Sequence, residues 1–393
     1  MKYDFDEVID RRGTYSIKWD SGEQLIRKGL AVRVDDDTIP LFTADMDLAC
    51  PQPVLEALRR VVDHRIFGYS DCTVVPEYYE AVISWFHRRY GWQIEKDEIL
   101  YVNGTVEALQ IAVEAFTQEG DGIIIQRPVY GPFSGTIDNT HRKLINNQLL
   151  EHEGYYTINY EDLEQKARDP QNKMMFLCSP HNPVGRVWTP EELRKIAGIC
   201  RENDVLLVVD EIHGDIIRKD VRFYPMAAVA DTDRMIICTA VNKTFNLAGL
   251  QCSNIVIKDP ELRETFRAHA GYRAPTPFAI AALIAAYQEC DDWVGQMNDY
   301  IDGNIQWVLD FLKERMPKVK CARPEGTYIL WMDFRGYGLP AEEIRDRIYN
   351  RANVILEAGS VFDPEYAEGY ERVCLGTRRS LIQEAFERIA RQF

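Results

Sequence analysis

Short, continuous apolar runs at residues 123–125, 174–178, 206–209, 235–238 and 254–257 constrain this chain more than any other feature. They lack the alternation of a strand with one wet face, so each is expected to be a strand covered on both sides. Helical patterns separate them. Val106, Leu109, Val113 and Phe116 fall on one face of a helical period. The segment TPEELRKIAGIC opens with Thr189 as N-cap, Pro190 at the first helical position and Glu192 at the third, which marks a helix start. Repeated alternation of strand and helix predicts an α/β fold with a mostly parallel sheet.

After about residue 287 the pattern changes. A long helix is expected over 293–315, followed by a strand in GTYILWMDF, a helix in AEEIRDRIYNRA, a strand in ERVCL and a closing helix in SLIQEAFERIARQ. Such a mixture predicts a smaller α+β lobe. At 393 residues the chain exceeds the size usually served by one core, so two lobes are expected. The expected division is an N-terminal segment (1–46) that joins the small lobe, a large α/β lobe (47–286) and a C-terminal small lobe (287–393).

Charge and composition narrow the partners. The formal charge of -16 and the lack of a long basic run argue against nucleic acid. The N-terminal MKYDFDEVID lacks the apolar core of a signal peptide, and the apolar stretch 278–287 is too short to cross a bilayer, so a cytoplasmic location without a membrane partner is expected. Nine scattered cysteines without a Cys-x-x-Cys pair predict neither a disulfide framework nor a zinc site, and the seven histidines lack metal-binding spacing. No Gly-x-Gly-x-x-Gly follows a strand, which argues against a nicotinamide cofactor.

In open α/β sheets, sites gather at the carboxyl ends of strands. Here MMFLCSP runs into HNPVG, LLVVD ends on Asp210, and MIICTA ends just before Lys243. The separations from Asn182 to Asp210 and from Asp210 to Lys243 each leave room for a crossover helix and a new parallel strand. An amide, a carboxylate and an amine are therefore expected to converge on one ligand. Each also has a plain structural explanation. Asn-Pro-x-Gly is a good turn, an Asp after a strand often caps a helix, and a Lys in a polar turn is usually solvated.

In that order and at those separations, SPHNPVG, VVDEIHGD and NKTFNLAGL resemble the pyridoxal-phosphate (PLP) enzymes of aminotransferase fold type I, most closely the MalY/PatB group of carbon–sulfur β-lyases. The similarity extends to IDRRGTYSIKWD, ADMD, FGYS, RPVYGPF, GTYILWMDF and RVCLGTRRS, and so covers nearly the whole chain. It implies the PLP-dependent transferase fold type I, with a mostly parallel seven-stranded sheet in the large domain and a smaller α+β domain. It also implies that Lys243 holds PLP as a Schiff base and then removes the substrate Cα proton. Asp210 would keep the pyridine nitrogen protonated. Asn182 would donate to the phenolic oxygen, and His213 either assists it or is a buried structural histidine. Tyr130 matches the residue that stacks on the ring.

For the phosphate, Gly104, Thr105 and Val106 stand at a strand-to-helix junction, where free N–H groups favour an anion. The resemblance adds Asn242, and Tyr69 reaching in from the neighbouring subunit of a homodimer. Arg372 would grip the α-carboxylate of a small amino-acid substrate, with Ala44 and Asp45 near the same end. The chain departs from the wider family at Ala240 and Gln251, where many relatives bind phosphate through Ser and Arg, at Asn242, where Ser is common, and at Cys374, where many have Asn. The group implies β-elimination of a thiol from cystathionine or a related S-substituted cysteine. Transamination of neutral or aromatic amino acids is the alternative, and a binding protein without turnover the third reading.

Overall fold

The computed structural model describes residues 2–230 and 234–393. The apolar runs become the inner strands of a seven-stranded sheet. In spatial order it comprises β2 (Ile99–Val102), β10 (Ser253–Val256), β9 (Met235–Ala240), β8 (Leu206–Asp210), β7 (Asn172–Cys178), β3 (Gly122–Ile125) and β4 (Lys143–Asn146). Strand β10 runs antiparallel to both its neighbours, and the other pairings are parallel.

Successive side chains of a strand point to opposite faces, and both faces here are buried. Ile123, Ile125, Met174, Phe176, Leu206, Val208 and Ile236 pack in one apolar cluster, whereas Ile124, Met175, Leu177, Leu207, Val209 and Ile237 join a second on the other side. Two dry faces remove the pressure for alternation. The first cluster is closed by the helices Thr105–Phe116, Gly131–Asn139 and Pro260–Ala270; the second includes Trp85, Ile196, Leu283 and Trp293. The helix Pro190–Glu202 starts as expected, with a complete capping box between Thr189 and Glu192. The expected apolar face of Thr105–Phe116 needs one correction. Val106 is 40% exposed, because it lies in the open first turn, while Ala108, Leu109, Ala112 and Val113 carry the packing.

A hairpin of β5 (Leu150–His152) and β6 (Tyr155–Thr157) precedes β7. The later part of the chain forms a three-stranded antiparallel sheet of β11 (Ile329–Asp333), β14 (Tyr370–Cys374) and β13 (Glu357–Ala358). From the N-terminal segment, β1 (Ile39–Pro40) pairs in parallel with β12 (Val354–Ile355), so the first and last parts of the chain meet. The long helix is Asp291–Arg315. The helix expected in AEEIRDRIYNRA is α-helical over Ala341–Arg345 and continues as a π-helix over Asp346–Arg351, which keeps Ile344, Ile348 and Tyr349 all buried.

Candidate active site

Strands β7 and β8 end level, with Cys178 opposite Asp210, and β9 runs on from Cys238, also opposite Asp210, to Ala240. The segments that follow them leave from one edge of the sheet. Asn182 and Lys243 stand just beyond β7 and β9, and Asp210 is the last residue of β8. Lys243 keeps some exposure as a residue, yet its amine lies inside the protein. Its Nζ donates to Ala44 O at 2.7 Å, and the same carbonyl accepts from Tyr328 Oη at 3.1 Å. Burial and then the charge of Arg372 lower the pKa of the amine, with Asp45 and Asp210 among the groups opposing them. This amine surrenders its proton more readily than a solvated lysine does.

Asp210 is buried and accepts one hydrogen bond, from Ile212 N at 3.3 Å. Burial pushes its carboxyl up to about 7, against the pull of that bond and of Lys243. A buried carboxylate with so little compensation is a ready partner for a cation. Its neighbour Glu211 is also buried and is raised to about 8; it accepts from Met226 N at 2.6 Å. His213 packs edge-on against Tyr328, with ring centroids 5.9 Å apart. Burial, with Lys243 and Arg372, lowers it to about 3, so its ring is neutral, and its buried Nδ1 has no partner. Tyr130 caps the helix Gly131–Asn139 and rests edge-on against Phe133, at 6.1 Å. Its phenol is raised to about 12, chiefly by burial and by Asp210, and feels Arg372 and Glu357 as well. These charged groups therefore border a common space.

Arg372 is the centre of a polar knot. Its Nη1 donates to Asn182 Oδ1 at 3.2 Å, its Nη2 donates to Phe42 O at 2.9 Å and to Glu357 Oε2, and its Nε is buried without a partner. The guanidinium lies 4.8 Å from the ring of Phe362. Asp45 does not share this knot, because Arg11 takes its carboxylate at 2.7 Å. Ala44 contributes its carbonyl, as described, rather than its side chain.

Gly104 caps the helix Thr105–Phe116 without a side-chain hydrogen bond, and a side chain there would meet open space; the first N–H groups of that helix have no partner within it. Asn242, oriented to satisfy its neighbours, donates to Cys252 O at 3.2 Å and to Leu247 O at 3.3 Å, which holds the turn around Lys243. Tyr69 stands fully exposed beside Ile66 and Phe67, far more solvated than a tyrosine usually is. Three contributors escaped the sequence reading: Glu357, Tyr328 and the carbonyl of Phe42. Strand pairing, not a motif, brings Glu357 to Arg372, and backbone carbonyls leave no mark in a sequence. Among the described residues no cluster of His, Cys, Asp and Glu is arranged to hold a metal ion.

A family profile, aminotransferase class I and II, matches residues 36–389. The chain belongs to the aminotransferase class I and II family. It is 38% identical over 390 residues to cystathionine beta-lyase PatB of Bacillus subtilis, spanning 98% of both chains. Its backbone matches cystalysin from Treponema denticola, whose structure contains a pyridoxal 5'-phosphate cofactor, with a TM-score of 0.94 and 36% identity, covering 100% of this chain and 99% of that one. A PLP-bound C–S lyase from Staphylococcus hominis, in complex with the inhibitor L-cycloserine, matches with a TM-score of 0.93 and 33% identity over 100% of this chain and 98% of that one. Within the aminotransferase class I and II family, then, this chain sits beside carbon–sulfur lyases.

Proposed function

We propose that this chain is a PLP-dependent carbon–sulfur β-lyase that converts cystathionine or another S-substituted cysteine, with water, into a thiol, pyruvate and ammonia. The observation that carries the reading is the pairing of an enclosed amine of lowered pKa, Lys243, with an under-compensated buried carboxylate, Asp210, at adjacent strand ends. The full-length likeness to PatB supports the lyase over other family chemistries.

The residues fit the cofactor. Asp210 lacks a cation, His213 Nδ1 and Arg372 Nε lack partners, and the helix start at Gly104 to Val106 is open to an anion. When bound, PLP supplies an aldehyde for covalent attachment and a conjugated ring that accepts the electron pair left when the Cα–H bond breaks. Lys243 Nζ would be the attachment point, and when free its amine of lowered pKa would take the Cα proton. Asp210 would hold the proton on the pyridine nitrogen. Since Asn182 Oδ1 already accepts from Arg372, its Nδ2 is the atom left to donate to the phenolic oxygen. Neutral His213 has one N–H to offer the same oxygen, and Tyr130 would cover the ring face. Arg372 receives the α-carboxylate, with Ala44 and Asp45 in the surrounding wall. Thiolate leaves Cβ, and hydrolysis of the released enamine yields pyruvate and ammonia.

One assay decides between lyase and aminotransferase. With cystathionine and no added 2-oxo acid, the lyase releases pyruvate, ammonia and thiol continuously; an aminotransferase stops after one turnover.

The phosphate contacts we propose are the backbone N–H groups at Gly104, Thr105 and Val106, and Tyr69 of a second copy; the side-chain amide expected from Asn242 is already spent on Cys252 O and Leu247 O. The exposed Tyr69 borders a cavity of about 580 Å³ lined by Val61, Ile66, Pro277 and Ile284, an apolar surface suited to a homodimer. Mixing Lys243→Ala with Tyr69→Ala subunits tests this. Each variant alone is impaired, while mixed dimers contain one site with both native residues, so random mixing restores about a quarter of wild-type activity. No recovery on mixing would assign Tyr69 to its own subunit. The described cysteines are all unpaired, which agrees with a reducing, cytoplasmic setting.

A further inference from the structure

The ion pair between Glu357 and Arg372 has no role in the chemistry above, although the sheet builds it deliberately. Glu357 on β13 lies directly opposite Arg372 on β14 in antiparallel register, so the two side chains share one face of the sheet. Arg372 is buried, and Glu357 retains about a quarter of its side-chain exposure. Nη2 of Arg372 already serves Glu357 and Phe42 O, and Nη1 serves Asn182. An arriving carboxylate therefore meets a guanidinium whose charge is matched in advance.

A competing acid at a carboxylate subsite has a kinetic rationale. The substrate carries an α-carboxylate, and so does the product pyruvate. A bare buried cation would grip substrate, transition state and product alike, which lowers KM without raising kcat and slows release of the product. It would also act undiminished on Lys243, whose amine the charge of Arg372 already depresses.

We propose that Glu357 is a positioning residue that compensates the charge of Arg372 and thereby keeps carboxylate affinity low enough for pyruvate to leave. This rests on the reading of Arg372 as the α-carboxylate subsite. Glu357→Gln keeps the shape and an acceptor for Nη2 while removing the charge. In the cofactor-loaded variant, KM for an S-substituted cysteine is expected to fall about tenfold, the pyruvate inhibition constant to fall by a similar factor, and kcat not to rise. Glu357→Ala, which also removes the acceptor, is the second variant and should move both constants the same way. A merely structural role would loosen Arg372 and raise KM. A raised KM, or an unchanged KM together with unchanged pyruvate inhibition, overturns the proposal. Arg372→Lys separates the two layers of the argument: if it leaves KM and pyruvate inhibition untouched, the carboxylate subsite itself is wrong and the role of Glu357 falls with it.

Discussion

Lys243→Ala is expected to lower pyruvate release from cystathionine by at least about 10⁴-fold, the upper range for a positioned proton-transfer group, because it removes the covalent anchor as well. The variant should remain folded. Lys243 makes its polar contact with Ala44 O, and that carbonyl keeps its bond from Tyr328 when the amine is gone, so no buried acceptor is orphaned. Removing an enclosed cation near Arg372 also relieves repulsion. Thermal melting should therefore shift little, while the absorbance of covalently held cofactor is lost on dialysis. Lys243→Arg sharpens the result, since it restores a positive charge without a usable nucleophile and should be as inactive as Ala. Turnover within tenfold of wild type in either variant would remove Lys243 from the chemistry.

The parts of the molecule governed by local pattern were legible in the sequence. The inner strands could be read because two dry faces impose unbroken apolar runs, and the Thr189 cap could be read because a capping box is a local contract between two side chains. The edge strand β4 was not expected, while β2 was implied only by the strand-to-helix junction at Gly104. In β4, Lys143 is exposed and Leu144, Ile145 and Asn146 are only half-buried, so the segment resembles surface until pairing with β3 defines it. The antiparallel direction of β10 was likewise hidden, because an apolar run is the same in either direction. At the site, the ends of β7, β8 and β9 follow from strand order, and the structure brings Asn182, Asp210 and Lys243 to one edge. What a motif cannot convey is which atoms are already engaged. Asp45 turned to Arg11, Asn242 to its own turn, and Arg372 to Glu357. Each of these depends on a partner distant in the chain or on a backbone carbonyl.

Asp210→Asn is the second large effect: the side chain keeps its size but cannot hold a proton on the cofactor ring. Turnover should fall by about 10²–10³-fold, the range for losing one preorganised electrostatic contact, with cofactor still attached through Lys243. The same substitution has an opposite consequence for the protein without cofactor. Burial raises Asp210 from 3.8 to about 7, so the folded chain binds its proton more tightly than the unfolded chain does. The resulting stability is fully present below about pH 4 and is lost as pH rises through about 7. The Asn variant has no such proton to lose. Its cofactor-free melting temperature should therefore decline less over this window than that of the wild type; Glu371, raised to about 8, leaves a common slope in both proteins, and Glu211, which Asp210 helps to raise, shifts in the variant in the same direction as the main effect. Adding PLP should reverse the ranking near pH 8. A cation against Asp210 stabilises the ionised wild-type carboxylate and finds no charge in the variant, so the wild type gains more from the cofactor. Melting curves with and without PLP at several pH values measure both trends. Equal gains in the two proteins would mean that Asp210 does not face the ring nitrogen.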